Sequence, residues 1–137
     1  MTRKFTIFFA LLSLLLPGSA LYAQDKSREE ADKQFYEALE AQVERYTEQL
    51  NLEDWQVFYV DSILTHNMEA LRSEIMALQA ARVSSADYME VASDKWMEAT
   101  YTAFRKVLND SQWEKYLKNG AKRDKAARDK RAAKRKQ

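Results

Sequence analysis

The sequence contains no cysteine, and beyond residue 23 it contains no proline and a single glycine, Gly120. Without cysteine the chain has no disulfide, no thiolate metal ligand and no thiol nucleophile. Proline and glycine interrupt helices most strongly, costing about 3 and 1 kcal/mol in a helix interior. Their scarcity, with the abundance of Ala, Glu, Lys, Arg, Gln and Leu, predicts an all-α fold.

Residue patterns that carry enzymatic chemistry are also missing. The sequence has no Gly-rich phosphate loop, no HExxH pair and no nucleophile elbow. His66 is the single histidine, whereas metal sites in proteins usually recruit several His, Cys or carboxylate ligands. We therefore expect a protein that is not an enzyme and has no cofactor or metal site. A metal-responsive sensor that uses His66 is the weakest alternative.

The first 23 residues have the pattern of a secretory signal peptide. Arg3 and Lys4 precede an apolar run at residues 5–16, which Pro17 ends. The run is shorter than the roughly 20 residues of a membrane-spanning helix. We expect cleavage near Ala23, with Ala20 as an alternative, and therefore an exported protein.

Charge is distributed unevenly along the remaining chain. Residues 24–117 carry 10 Lys/Arg against 19 Asp/Glu, a net of −9, and residues 118–137 carry 10 Lys/Arg against 2 Asp, a net of +8. We expect a helical domain at 24–120 and a basic tail at 121–137 that is helical or disordered, because the tail has no large apolar residue. This asymmetry indicates either self-association or contact of the tail with an anionic surface. In an exported protein, anionic lipid or lipopolysaccharide is a more plausible target than a specific nucleic acid.

Apolar periodicity predicts four helices, at about 27–50, 54–82, 86–108 and from 110 onward. Capping residues support these starts, because Ser27 is the expected N-cap of the first helix and Ser84 or Ser85 that of the third. The third helix has an apolar arc of roughly 200°, about twice what one partner helix needs. We therefore expect it to contact more than one element.

Large apolar side chains exceed what the apolar stripes of these helices require. On the second helix, four of them fall outside the stripe, on roughly the opposite side: Trp55, Phe58, Tyr59 and Met76. Flexible methionines and aromatics suit binding to varied apolar partners. They are equally suited to packing against other helices or a second subunit, so both interpretations stay open. The candidate client-binding residues are Trp55, Phe58, Tyr59, Met76, Trp96 and Met97.

Two similar helix starts lie 56 residues apart, Leu52-Glu53-Asp54-Trp55-Gln56 and Leu108-Asn109-Asp110-Ser111-Gln112. In each, a leucine closes one helix, and a capping box that ends in glutamine opens the next. Asn109 is a good N-cap. Glu53 is a poor one, so Asn51 is expected to replace it in the first copy. The predicted motif and capping residues are Leu52, Gln56, Leu108, Asn109 and Gln112.

These repeats resemble the LTxxQ motif of the Spy/CpxP family of small periplasmic helical proteins, over about residues 28–118. The resemblance implies bent antiparallel helical hairpins that form a cradle-like homodimer. It also implies an ATP-independent chaperone or envelope-stress protein that captures unfolded or misfolded exported proteins. The basic tail lies outside the resemblance. The alternative is a structural or regulatory interaction module that binds a sensor domain or an anionic envelope surface.

Overall fold

The computed structural model describes residues 16–83 and 85–137, and side chains are described from residue 23 onward. Regular structure within these ranges is entirely helical, which confirms the all-α prediction. The α-helices are α1 (Leu16–Leu50), α2 (Asp54–Ala80), α3 (Ala86–Val107), α4 (Asp110–Tyr116) and α5 (Lys122–Arg135), with a π-helical turn at Leu117–Ala121. No helix in the described ranges is both long and apolar enough to span a bilayer.

The chain divides into two compact units, residues 1–38 and 39–137. The described part of the first unit is the N-terminal portion of α1. Pro17 lies in its first turn, where a missing N–H is tolerated. The helix continues through Ser27, so the predicted helix start and N-cap there are wrong. Nothing between Gly18 and Leu50 interrupts the helix.

In the second unit α2 and α3 pack antiparallel. Polar contacts join the two helices, including a buried one in which Asn67 Nδ2 donates to Thr100 Oγ1 at 3.0 Å. Val60 and Leu64 of α2 and Phe104 of α3 are buried. The observed α2 and α3 match the predicted second and third helices within two residues at each end. Ser85 is the N-cap of α3, while Ser84 lies outside the described residues.

An aromatic cluster joins α1, α3 and α4. The Tyr46 ring lies 5.3 Å from that of Phe104 and 5.9 Å from that of Tyr116, and Phe104 and Tyr116 are 5.3 Å apart. Tyr101 extends the cluster to Trp113, with ring centroids 4.9 Å apart. As the wide apolar arc predicted, α3 contacts more than one helix.

The ends of α1 and α2 share one capping geometry. Asn51 and Arg82 follow them with φ of 50° and 57°, in the left-handed region. The next amides reach back to the helices, Leu52 N–H to the Thr47 carbonyl at 3.1 Å and Val83 N–H to that of Leu78 at 2.9 Å. Asn51 therefore ends α1 and is not the N-cap of α2, a role that Glu53 takes.

Candidate functional site

The two motif glutamines meet in a buried amide pair. Gln56 Nε2 donates to Gln112 Oε1 at 2.7 Å, and Gln112 Nε2 donates to Gln56 Oε1 at 2.9 Å. Both side chains are nearly fully buried, with 2% and 7% of their surface exposed. Since buried amides need partners, this reciprocal pairing satisfies groups that would otherwise destabilise the fold.

Each glutamine also completes a capping box at the start of its own helix. Gln56 Oε1 accepts from the Glu53 N–H, and Gln112 Oε1 accepts from the Asn109 N–H, both at 3.0 Å. In return, Asn109 Oδ1 accepts from the Gln112 N–H at 2.9 Å. One side chain thus serves both the local cap and the tertiary contact.

Further hydrogen bonds tie each glutamine to the chain that precedes the other helix. Gln56 Nε2 donates to the Val107 carbonyl at 3.0 Å, and Gln112 Nε2 donates to the Asn51 carbonyl at 3.4 Å. Leu108, the leucine of the second motif, is buried, whereas Leu52 is half-buried. The motif residues therefore form a structural junction that fixes where α2 and α4 begin.

Three of the candidate binding residues lie together on the exposed side of α2, directly after this junction. Trp55, Phe58 and Tyr59 have 52%, 66% and 51% of their surface exposed. Tyr59 makes edge contacts with both of the others, with ring centroids 6.2 Å from Trp55 and 5.6 Å from Phe58. We call these three residues the aromatic patch.

Three acidic residues of the same segment lie close to the aromatic patch in sequence. Glu53, Asp54 and Asp61 are all exposed. The indole Nε1 of Trp55 donates to Glu53 Oε2, which orients the ring. The patch therefore combines accessible apolar area with a negative border.

The other three candidates are not part of the aromatic patch. Met76 is exposed near the far end of α2, while Trp96 and Met97 on α3 are half-buried. The Trp96 indole donates to Glu74 Oε2 at 2.8 Å and thereby links α3 to α2. Trp96 thus contributes to the packing of this helix pair.

A shallow open groove of about 550 Å³ runs beside α3. Ile63, Ala99, Ala103 and Val107 supply apolar lining, and charged groups including Lys95 and Lys106 also line it. Glu98 and Thr102 complete the lining, so apolar and polar groups lie side by side in the groove.

Sequence reasoning missed a ladder of three carboxylates on α3. Glu90, Asp94 and Glu98 recur every four residues, and all three pair with cations of α5. Arg131 Nη2 lies 2.6 Å from Asp94 Oδ1, and Arg135 Nη2 lies 2.8 Å from Glu90 Oε1. The four-residue spacing in the sequence could have revealed the three carboxylates, but not that the cations of α5 would pair with them.

Charge pairing changes the protonation behaviour of the middle carboxylate. Hydrogen bonds from Arg131 and Arg135 hold the pKa of Asp94 below its ordinary value, against the opposing effect of burial. Arg128 is buried beside Glu98, with Nε donating to Glu98 Oε2 at 3.2 Å. Its guanidinium also lies over the Tyr101 ring, 5.6 Å from the centroid.

His66 is exposed on α2 and lies against Trp96, with ring centroids 6.3 Å apart. Among the described residues, no group of three or more His, Cys, Asp or Glu side chains is arranged to hold a metal ion. His66 therefore has no neighbouring ligand set in this part of the chain.

Comparisons of the chain with protein-family models, with curated proteins and with solved structures gave no match.

Proposed function

We propose that this protein is an exported, ATP-independent chaperone or envelope-stress protein that captures unfolded chains on the aromatic patch. The observation that carries the proposal is the exposure of three adjacent large aromatic side chains, Trp55, Phe58 and Tyr59, on little more than one turn of α2. Clustered exposed apolar area of this kind is typical of binding surfaces, whereas scattered single residues are not.

The chemistry of the patch favours varied apolar partners over one specific ligand. Aromatic rings contribute large contact area with little loss of conformational entropy. The exposed carboxylates Glu53, Asp54 and Asp61 would attract basic segments of an unfolded chain and speed the encounter. Apolar contact would then hold the chain without nucleotide hydrolysis.

The resemblance to the Spy/CpxP family supports the same proposal through the two motif copies that end in Gln56 and Gln112. On that basis we propose a homodimer with a cradle-like arrangement of antiparallel hairpins. Incomplete burial of the distal α2–α3 pair supports a second subunit, because Leu71, Ile75 and Leu78 are only half-buried in the described chain.

The test is suppression of aggregation of a chemically denatured client by residues 24–137, at near-stoichiometric ratio. The triple variant Trp55→Ala/Phe58→Ala/Tyr59→Ala should bind clients at least about 100-fold more weakly, since each buried aromatic contributes about 1 kcal/mol or more. A matched control, Tyr36→Ala/Tyr88→Ala/Val91→Ala, removes apolar side chains of similar exposure elsewhere and should retain protection.

Two results would contradict the proposal. One is failure of the wild-type chain to protect several unrelated clients. The other is equal loss in the patch variant and the control, which would mean that no particular surface is used. Sedimentation of both variants shows whether the patch instead packs against a second subunit, because the patch variant alone would then become monomeric.

A further inference from the structure

The cations of α5 lie on two opposite faces of the helix. At about 100° per residue, Lys125, Arg128, Arg131 and Arg135 fall within one arc of about 120°. Lys122, Arg123, Lys130 and Lys134 fall within a second arc of about 120° on the opposite side, where, in the described chain, Arg123 alone pairs with a carboxylate, that of Asp124. We call the first the inner face and the second the outer lysine face.

The inner face is neutralised within the molecule. Its four cations all lie within ion-pair distance of Glu90, Asp94 or Glu98 on α3. Three of the four are arginines, whose planar fork suits two-point pairing with carboxylates. Arg131, for example, donates to both carboxylate oxygens of Asp94, at 3.0 and 2.6 Å.

The outer lysine face has no such partner. Lys122, Lys130 and Lys134 are exposed, and none pairs with a carboxylate in residues 23–83 or 85–137. The two aspartates of α5 are engaged elsewhere, Asp124 with Arg123 and Asp129 with Lys125. The face therefore carries net positive charge over about 18 Å of helix.

Residue choice on this face points to a hydrated anionic surface. Lysine is a flexible, strongly hydrated point charge, suited to diffuse attraction and not to fixed two-point recognition. The small residues Ala126 and Ala133 lie between the lysines on this face. No aromatic or large apolar residue occurs on α5 to stack on bases or enter a bilayer.

We propose that the outer lysine face binds peripherally to an anionic lipid surface, through lipid phosphates. Docking of the inner face directs the three lysines away from α3, so α5 lies between the lipid and the acidic ladder. The contact would be sensitive to salt, because it depends on exposed charges alone. A lipid surface is favoured over nucleic acid by the predicted export and by the missing stacking residues.

Cosedimentation of residues 24–137 with phosphatidylcholine vesicles, with and without phosphatidylglycerol, tests this proposal. We expect binding only with phosphatidylglycerol, weakening steeply as salt rises. The variant Lys122→Gln/Lys130→Gln/Lys134→Gln should bind about 100-fold more weakly, at about five-fold per lysine. A control with the same loss of charge, Lys26→Gln/Lys106→Gln/Lys115→Gln, should bind nearly as well as wild type.

Equal weakening in the two triple variants would overturn the proposal, because overall charge would then explain the binding. So would absence of binding to phosphatidylglycerol at low salt. If inorganic phosphate competes no more strongly than chloride at the same ionic strength, the result supports contact with a lipid surface. Stronger competition by phosphate indicates a site for free phosphate instead. A lower sedimentation mass in the Lys122/Lys130/Lys134 variant would assign the face to a second copy and overturn the lipid contact.

Aggregation assays separate this inference from the proposed function. The outer lysine face lies on α5 and the aromatic patch lies on α2. The Lys122/Lys130/Lys134 variant should therefore keep client protection while losing lipid binding. Each of the two proposals can fail without the other.

Discussion

At the residue scale, Gln56 and Gln112 connect local and long-range structure in one contact. Each accepts a hydrogen bond from the N-cap amide of its own helix and pairs with the other glutamine. Removing one side chain leaves its buried partner amide unsatisfied, which costs about 1–3 kcal/mol. A double-mutant cycle measures how much free energy the contact between the two glutamines itself contributes.

We predict that Gln56→Leu and Gln112→Leu each lower the free energy of unfolding by about 2–3 kcal/mol, because each loses a cap and a buried partner. The double variant should cost less than the sum of the two, with a coupling of about 1–2 kcal/mol. Urea unfolding followed by circular dichroism measures the free energy of unfolding of the wild type, the two single variants and the double variant. Gln79→Leu, an exposed site on α2, is the control and should change stability by less than about 0.5 kcal/mol. Strictly additive effects would contradict the paired arrangement.

A second residue-scale feature is the left-handed backbone at Gly120. Its φ of 119° lies in a region that side-chain-bearing residues rarely adopt, and it occurs in the π-helical turn that joins α4 to α5. A Cβ there would meet only Arg123 Nη2 at 3.7 Å and Asp124 Oδ2 at 3.9 Å, which are ordinary contacts. Backbone conformation, and not crowding, is therefore why glycine suits this position.

At the element scale, α5 has unusual energetics because it docks without large apolar residues. Its sequence is built from Lys, Arg, Asp and Ala. Exposed ion pairs contribute only about 0–1 kcal/mol each, so the helix depends on the combined network with α3. Burial of Arg128 beside Glu98 and against the Tyr101 ring adds to this docking.

We predict that α5 undocks at high salt and at low pH while α2 and α3 remain folded. Because the pKa of Asp94 is lowered in the folded state, its contribution is fully present above 3.8, the ordinary aspartate value. That contribution is lost as pH falls below this value. Salt near 1 M shortens the screening length to about 3 Å and weakens the same contacts. Hydrogen exchange of α5 amides measures the undocking.

Two substitutions on α3 provide the comparison for this prediction. Asp94→Asn should raise the exchange rates of α5 amides at neutral pH and make them less sensitive to acid. Asp87→Asn removes an exposed carboxylate of the same helix that makes no ion pair in the described chain, and it should leave α5 unchanged. Identical α5 exchange in both variants would show that the carboxylate ladder does not hold the helix.

At the scale of the whole molecule, the aromatic cluster of Tyr46, Phe104 and Tyr116 joins three helices, and two of its members titrate. Burial raises the pKa of both Tyr46 and Tyr116 above 10.0, and for Tyr116 the Tyr46 phenol adds to the effect. In the unfolded chain both would ionise near 10.0. Their protonated form therefore contributes stability that is complete below that pH.

We predict cooperative unfolding as pH rises above 10, because ionisation of the two phenols favours the unfolded chain. Tyrosinate absorbance and helical circular dichroism should change together. Tyr116→Phe should shift this transition to higher pH, whereas Tyr59→Phe, at an exposed ring, should not move it. Ionisation of Tyr116 without loss of helix would contradict the prediction.

The candidate site was partly readable from sequence. Periodicity placed Trp55, Phe58 and Tyr59 off the apolar stripe of α2, and the structure leaves all three exposed. The same reasoning grouped them with Trp96, which instead hydrogen-bonds to Glu74 across the helix pair. Exposure of a side chain outside a stripe depends on which helix lies nearby, and a single helix pattern does not contain that information.

Local sequence by itself determined the helical class, the bounds of α2 and α3 and the start of α4, because capping and helix-breaking residues act over only a few positions. It failed twice at this level, at the start of α1, where Ser27 stands inside a helix that begins earlier, and at the N-cap of α2, which is Glu53 and not Asn51. Tertiary structure alone decided that Gln56 pairs with Gln112 and that Arg131 pairs with Asp94. These contacts join residues far apart in the chain, and their free energy is gained only when packing has already brought the helices together.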